Sequence, residues 1–456
     1  MSTIIGLIVA LALAGSLVYV LLRPRYAFLL VLLFFPLEQV VQAWVPWLMR
    51  VPWLLNVAVA LTSATAAGML LIRGQRPFRG LNNLQTWATC GLYFLVLFGM
   101  LHTPSRDAAK YFVIDNGLPY WALMLGVLPL LILSLDDFYK MLVPFMVIGS
   151  IISVLILANP NASVYGGRLT LEFVAASGEV FRGNPLVVSE LGMMVAVVAA
   201  LLVTRQGTAG ALLLRAACFL AGMAVMLASG SRGQAIAMVV AVVALIPFAY
   251  TIRDMRQFLL LSVSGLFIVV LGYVSIVLFV SDETAARWTG ESVGVGAKVR
   301  FESIVNMFGA FMSSPGSWLF GLGTNSYNAF FRPVDGSFTY PHNLFIEVLT
   351  EEGFLGLGFL CLSLWAVWKG WRWIWTAAKD DRAMRSAAAI LGAFALVALL
   401  QALKQGTFTS IPLPFYIFLV VNKMARAEQM AMAEAESEPS RDEAEYVAAL
   451  TYASRG

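Results

Sequence analysis

TIIGLIVALALAGSLVYVLL, residues Thr3–Leu22, carries no charged side chain from end to end. A helix of that length crosses a hydrocarbon core of ~30 Å. The run has no two-residue alternation of apolar and polar positions, which a barrel strand would need, so it reads as a helix. It is long for a signal-peptide core, and no basic segment precedes it, so it is expected to be a membrane span. Apolar runs of this kind recur near 27–48, 52–72, 84–101, 117–134, 139–158, 185–204, 211–228, 233–250, 257–280, 343–368, 386–403 and 411–422. Pro36, Glu38 and Pro46 interrupt the second, which reads as a broken helix or a re-entrant pair. Lipid offers no water to backbone N–H and C=O groups, so such runs must satisfy them internally. The expected fold is therefore an all-α, polytopic transmembrane bundle of about twelve or thirteen spans.

Composition agrees. The chain has 456 residues, 60% hydrophobic and only 12% charged, with a mean hydropathy of +0.82. A soluble chain needs more charge to cover its surface. No basic stripe with interleaved aromatics is present, which argues against nucleic acid as a partner. Cys90, Cys218 and Cys361 lie singly in apolar runs and read as buried small hydrophobes.

Short basic loops mark the cytoplasmic side of a membrane protein. Arg23/Arg25, Arg73/Arg76/Arg79, Arg205, Arg253/Arg256, Lys369–Arg385 and Lys423/Arg426 all fall on one side of this map. Four regions follow: a bundle over 1–280, a large outer loop over 281–341, C-terminal membrane helices over 342–423, and a cytoplasmic, disordered, Glu-rich tail over 424–456. Within the loop, Val299–Met312 has helical spacing, with Phe301, Ile304, Val305, Phe308 and Phe311 on one face. Ser313–Gly316 ends that helix and Gly321–Ser326 reads as a turn.

The outer side breaks the charge rule. It carries Arg168, Arg182, Arg287, Lys298, Arg300 and Arg332. A guanidinium stays charged and grips phosphate with two parallel hydrogen bonds, so these residues suggest a pocket for an anionic head group. The competing reading is ion pairing with Glu172, Glu179, Asp282, Glu283, Glu291 and Glu302. Arg232, in Ser231-Arg232-Gly233-Gln234 between two apolar runs, is expected at membrane depth, facing a cavity or a partner. Glu38, Asp115, Glu190 and Lys404 are further polar exceptions that line the same cavity or pair within the bundle.

One of only two histidines stands where the long loop re-enters the membrane, in Tyr340-Pro341-His342-Asn343-Leu344. Asn343 is placed to cap the following helix. A neutral imidazole at that point can take a proton from an attacking hydroxyl. Glu347 and Glu351, four apart, share a helix face and could orient that base or accept a proton. Glu352 is expected to sit in water or to cap a neighbouring element. No clustered acids or paired histidines suggest a metal site, and no phosphate-cradling glycine loop suggests a nucleotide. A metal-independent reaction without cofactor is the expectation.

These residues resemble the O-antigen ligase and Wzy-type polymerase superfamily of bacterial membrane glycosyltransferases. His342, Asn343, Gly353 and Gly356 fill its pattern of His, Asn/Ser/Gln, nine residues, Gly, two residues, Gly/Thr/Tyr. Pro315, Gly321-Leu322-Gly323 and Asn325 look like its approach to that histidine, Ser231-Arg232-Gly233 like its Ser-Arg element, and Arg300 like its loop arginine. The resemblance implies transfer of a glycan from undecaprenyl pyrophosphate to an acceptor, a glycan or lipid A-core, on the periplasmic face of the inner membrane. In lipopolysaccharide or exopolysaccharide synthesis this is inverting chemistry. His342 is then the base, with Arg232 and Arg300 on the pyrophosphate. Arg168, Arg182, Arg287, Asn325, Asn343 and Glu347 are candidate substrate contacts. The histidine signature is common to ligases and polymerases and does not separate them. A transporter or flippase is the alternative of another class. It would show charged residues through several spans and an internal repeat, whereas here the polar residues gather on one face.

Overall fold

The computed structural model describes residues 2–51, 53–174, 180–205, 207–250, 254–257, 259, 290–331, 338–404, 406–410 and 412–437. The chain is a helical membrane protein. Its principal helices are α1 (Ser2–Leu22), α2 (Ala27–Leu32), α3 (Phe34–Trp44), α4 (Trp53–Ile72), α5 (Leu84–Gly99), α6 (Arg106–Leu131), α7 (Leu135–Leu157), α8 (Pro185–Leu201), α9 (Ala209–Ala228), α10 (Arg232–Ala249), α11 (Gly290–Met312), α12 (Leu344–Ala377), α13 (Arg382–Ala402) and α14 (Leu413–Ser437).

Among the described residues, seven helices are long and apolar enough to span a membrane, or eight if the bent pair α2/α3 counts as one span. The difference from the expected twelve or thirteen has identifiable sources. Helices α5 and α8 are shorter apolar helices. The run at 257–280 lies almost wholly outside the described residues. The run at 343–368 is part of α12, a 34-residue helix interrupted at Gly353.

The interrupted second run is a broken span. Helices α2 and α3 meet at 73°. Arg25, just before α2, pairs with Asp137 in the first turn of α7. Asn161, just past the far end of α7, donates to the carbonyl of Ala43 at the end of α3. The pair therefore runs the length of a spanning helix. In α6, Lys110–Gly117 and Ala122–Val127 wind as wider π-helix turns, interleaved with Pro119 and Pro129. Proline cannot donate to the helix ladder, and such local adjustments accommodate it.

Two expectations are corrected. The outer segment that carries Arg168 and Arg182, from Asn159 to Asn184, reads in sequence as loop but includes a three-stranded antiparallel sheet: β1 (Ala162–Tyr165), β2 (Arg168–Val174) and β3 (Val180–Arg182). Gly166 (φ 55°) and Gly167 (φ 69°) make the two-residue turn between β1 and β2, the backbone sign that matches strand twist. Residues 424–437, expected as disordered tail, continue α14. Their Ala, Met and Glu residues are strong helix formers, and Glu434 reaches Arg79 at 2.9 Å. Helix α11 forms as expected and starts earlier. Met307 and Phe311 are its buried contacts, while Phe301, Val305 and Phe308 are exposed, so the apolar face is only partly covered by described residues.

Candidate active site

The local structure starts from the break in α12. Gly353 has φ 70° and ψ −166°, which interrupts the helical ladder. Freed backbone groups must find new partners in an apolar interior. The segment from Trp318 to Gly323 supplies them. The N–H groups of Phe354 and Leu355 donate to the carbonyls of Trp318 (2.8 Å) and Leu319 (3.2 Å). In return, Leu322 and Gly323 donate to the carbonyls of Thr350 (2.8 Å) and Glu351 (3.1 Å). Glycine is required by contact as well as by φ: a Cβ at Gly321 would lie 2.0 Å from the Glu351 oxygen.

Side chains complete the joint. Glu347, Glu351 and Glu352 are all buried. Glu351 accepts from the N–H of Asn325 (2.7 Å) and of Tyr327 (3.3 Å). Glu352 lies 2.9 Å from the Thr324 hydroxyl. Of the two readings for Glu352, water is thus excluded and contact with a neighbouring element holds. Glu347 accepts from the Thr407 hydroxyl. Thr407 belongs to a buried turn after α13, held by Tyr93 on the Phe408 carbonyl (3.1 Å) and Trp121 on the Thr409 carbonyl (2.7 Å).

His342 sits where this framework meets the start of α12. Asn343 is the cap: its Oδ1 accepts from Phe345 N (3.0 Å) and Ile346 N (3.2 Å). That oxygen serves the helix, which weighs against the substrate contact expected of Asn343. Among the described residues, only Asn325 and His342 are non-glycine residues at positive φ, both at 55°. This conformation costs a bulky side chain about 1–3 kcal/mol and recurs at functional sites. Asn325 is buried, and its backbone rather than its side chain meets Glu351. The His342 ring packs against Tyr340, with centroids 4.4 Å apart and the planes tilted by 58°. Tyr340 and Leu344, on either side of it, line a cavity of about 110 Å³.

The start of α10 reaches the same region. Arg232 is its first residue, half-buried. A Cβ on Gly233 would lie 2.2 Å from Lys404 Nζ, and Lys404 donates to Gln234 at 2.6 Å. Residues flanking Lys404 (Gln401, Ala402, Gly406 and Thr407) line the cavity, as does Glu190 from α8. Helix α10, the turn after α13 and the His342 segment are therefore brought together. Lys404 and Glu190 were visible in the sequence as polar exceptions. Gln401 and Thr407 gave no signal there, since one amide or hydroxyl within or beside an apolar run is ordinary.

The remaining arginines are distributed. Arg182 on β3 pairs with Glu172 at 3.2 Å and stacks 3.9 Å over the Tyr165 ring, so the ion-pair reading fits it. Arg168 on β2 shares an open groove with Tyr165 and Arg182. Arg300 stands on α11, and its side chain, like all of Arg287, lies outside the described residues.

Residues 216–361 match the family described as O-antigen ligase. The resemblance read from the motif is borne out by that match. The matched region contains Arg232, Arg300, the Gly321–Asn325 segment, His342, Asn343 and Gly353, and excludes Arg168, Arg182, Glu190, Gln401 and Lys404. No curated protein matches the chain. With the apolar helices, the match supports a membrane-bound ligase or polymerase of the glycosyltransferase kind.

Proposed function

We propose that this protein transfers a glycan from undecaprenyl pyrophosphate to a sugar hydroxyl, at the periplasmic face of a bacterial inner membrane. The observation that carries the reading is His342, held in a left-handed backbone before a capped helix and beside a cavity that the Arg232 segment also approaches. In this reaction the acceptor O–H gives its proton to the imidazole. Its oxygen bonds to the anomeric carbon as the bond from that carbon to the pyrophosphate oxygen breaks. A single in-line displacement inverts the centre. Arg232 and Arg300 neutralise the charge growing on the leaving diphosphate, the kind of preorganised electrostatics that contributes most to many catalysts. A positioned base adds ~10²–10⁴ in rate. The acceptor is a sugar of another repeat unit in a polymerase and a lipid A-core in a ligase.

The test is purified protein in nanodiscs with an undecaprenyl-pyrophosphate-linked repeat unit and a chelator. A ladder of lengthening products identifies a metal-independent polymerase. One shifted product, formed only when core acceptor is added, identifies a ligase. Activity that returns only with magnesium overturns the metal-independent chemistry, and silence under every condition overturns the transfer reading in favour of a transporter.

A further inference from the structure

The cavity beside His342 has a polar wall that the transfer chemistry does not use. Glu190 lines it from α8 and Gln401 from α13, together with Thr407 and Tyr340, which lies two residues before His342. Gln401 is 5% exposed, and its Oε1 has no hydrogen-bond partner among the described residues. Its amide nitrogen has only a weak 3.5 Å contact with Met193 sulfur. A buried carbonyl oxygen without a donor costs about 1–3 kcal/mol, so its environment calls for a donor. Glu190 as a residue is partly exposed, with its carboxyl turned inward and Lys404 near enough to feel its charge. Lys404 itself donates to Gln234. Leu344, Phe408 and Leu413 contribute apolar surface to the wall.

We propose that this cavity is the subsite for the acceptor sugar, with Glu190 and Gln401 accepting hydrogen bonds from its ring hydroxyls. The inference rests on the glycosyltransfer reading and deepens it. Among the described lining residues are a carboxyl and an amide but no cation, and a diphosphate needs cations to hold its charge, so the donor's pyrophosphate does not belong here. A sugar edge offers hydroxyl donors on one face and C–H groups on the other, which suits a wall divided between polar and apolar residues. The volume of about 110 Å³ holds the edge of one ring rather than a chain. Tyr340 joins the cavity to the His342 ring, so a sugar seated there brings a neighbouring hydroxyl toward the base.

The experiment measures donor and acceptor KM separately for wild type, Gln401→Leu and Ala402→Leu. The donor is undecaprenyl-pyrophosphate-linked repeat unit. The acceptors are lipid-free core oligosaccharide and lipid-free repeat-unit oligosaccharide. Gln401→Leu removes the hydrogen-bonding amide at similar volume, and Ala402→Leu narrows the cavity without removing any polar group. Each variant is expected to raise the acceptor KM about tenfold, leaving the donor KM within twofold. An active wild type whose acceptor KM is unchanged in both variants, or a donor KM that rises equally, overturns the subsite alone. A wild type that transfers to neither acceptor overturns the glycosyltransfer reading and the subsite with it.

Discussion

His342 and Arg232 carry the sharpest expectations at the scale of single residues. His342→Ala is expected to lower transfer by at least 10²-fold, with the protein still recovered as a monodisperse membrane protein. Full activity in that variant would remove the base assignment. Arg232→Lys keeps the charge and loses the planar fork that holds two phosphate oxygens, so turnover is expected to fall about tenfold. Wild-type turnover would reduce Arg232 to a point charge. The identity of His342 as a candidate base was legible in the sequence, because a lone histidine ahead of a helix start is a local pattern. Its positive φ was not, because that conformation is held by its surroundings.

Elements explain why glycines recur on both sides of the joint. Two short stretches, Trp318–Gly323 and Thr350–Leu355, exchange four backbone hydrogen bonds across the break in α12. Gly321→Ala forces a Cβ to 2.0 Å from a carbonyl oxygen at φ 81°. Left-handed backbone alone costs ~1–2 kcal/mol for a non-glycine residue, and the clash adds to it. A fall of several degrees in the unfolding midpoint, followed by intrinsic fluorescence in detergent, is expected together with loss of transfer. Gly309→Ala, where a Cβ would meet nothing within 4 Å, is the matched comparison and is expected to be neutral or slightly stabilising. A neutral Gly321→Ala would show that the two stretches are not rigidly docked. The sheet at 162–182 escaped sequence reading for a related reason. Its strands are short, and their stability lies in partners such as Arg182 with Glu172 rather than in any one segment.

At the scale of the whole molecule, orientation is the open quantity. The basic ends near Arg25 and Arg73 and the sheet near Tyr165 lie at opposite ends of the bundle, joined by α7 and the broken span α2/α3. The positive-inside rule puts the basic ends in the cytoplasm. In a background with Cys90, Cys218 and Cys361 replaced, Tyr165→Cys is expected to react with an impermeant maleimide added outside spheroplasts, and Arg73→Cys only after lysis. The opposite pattern would invert the topology and move the candidate site to the cytoplasmic face.

The sequence by itself determined a helical membrane protein and the stretch 315–356 as its informative part. Both follow from near neighbours along the chain: apolar length, the missing water in lipid, and a histidine in fixed register with two glycines. Tertiary structure alone decided that Glu190, Gln401 and Thr407 meet at one cavity beside His342, and that the Arg232 segment packs on Lys404 next to it. It also decided that Glu351 and Glu352 are buried connectors and that Arg182 is paired. Those outcomes depend on which elements pack together, and a hydrogen bond or ion pair between separate elements leaves no periodicity for a sequence to display.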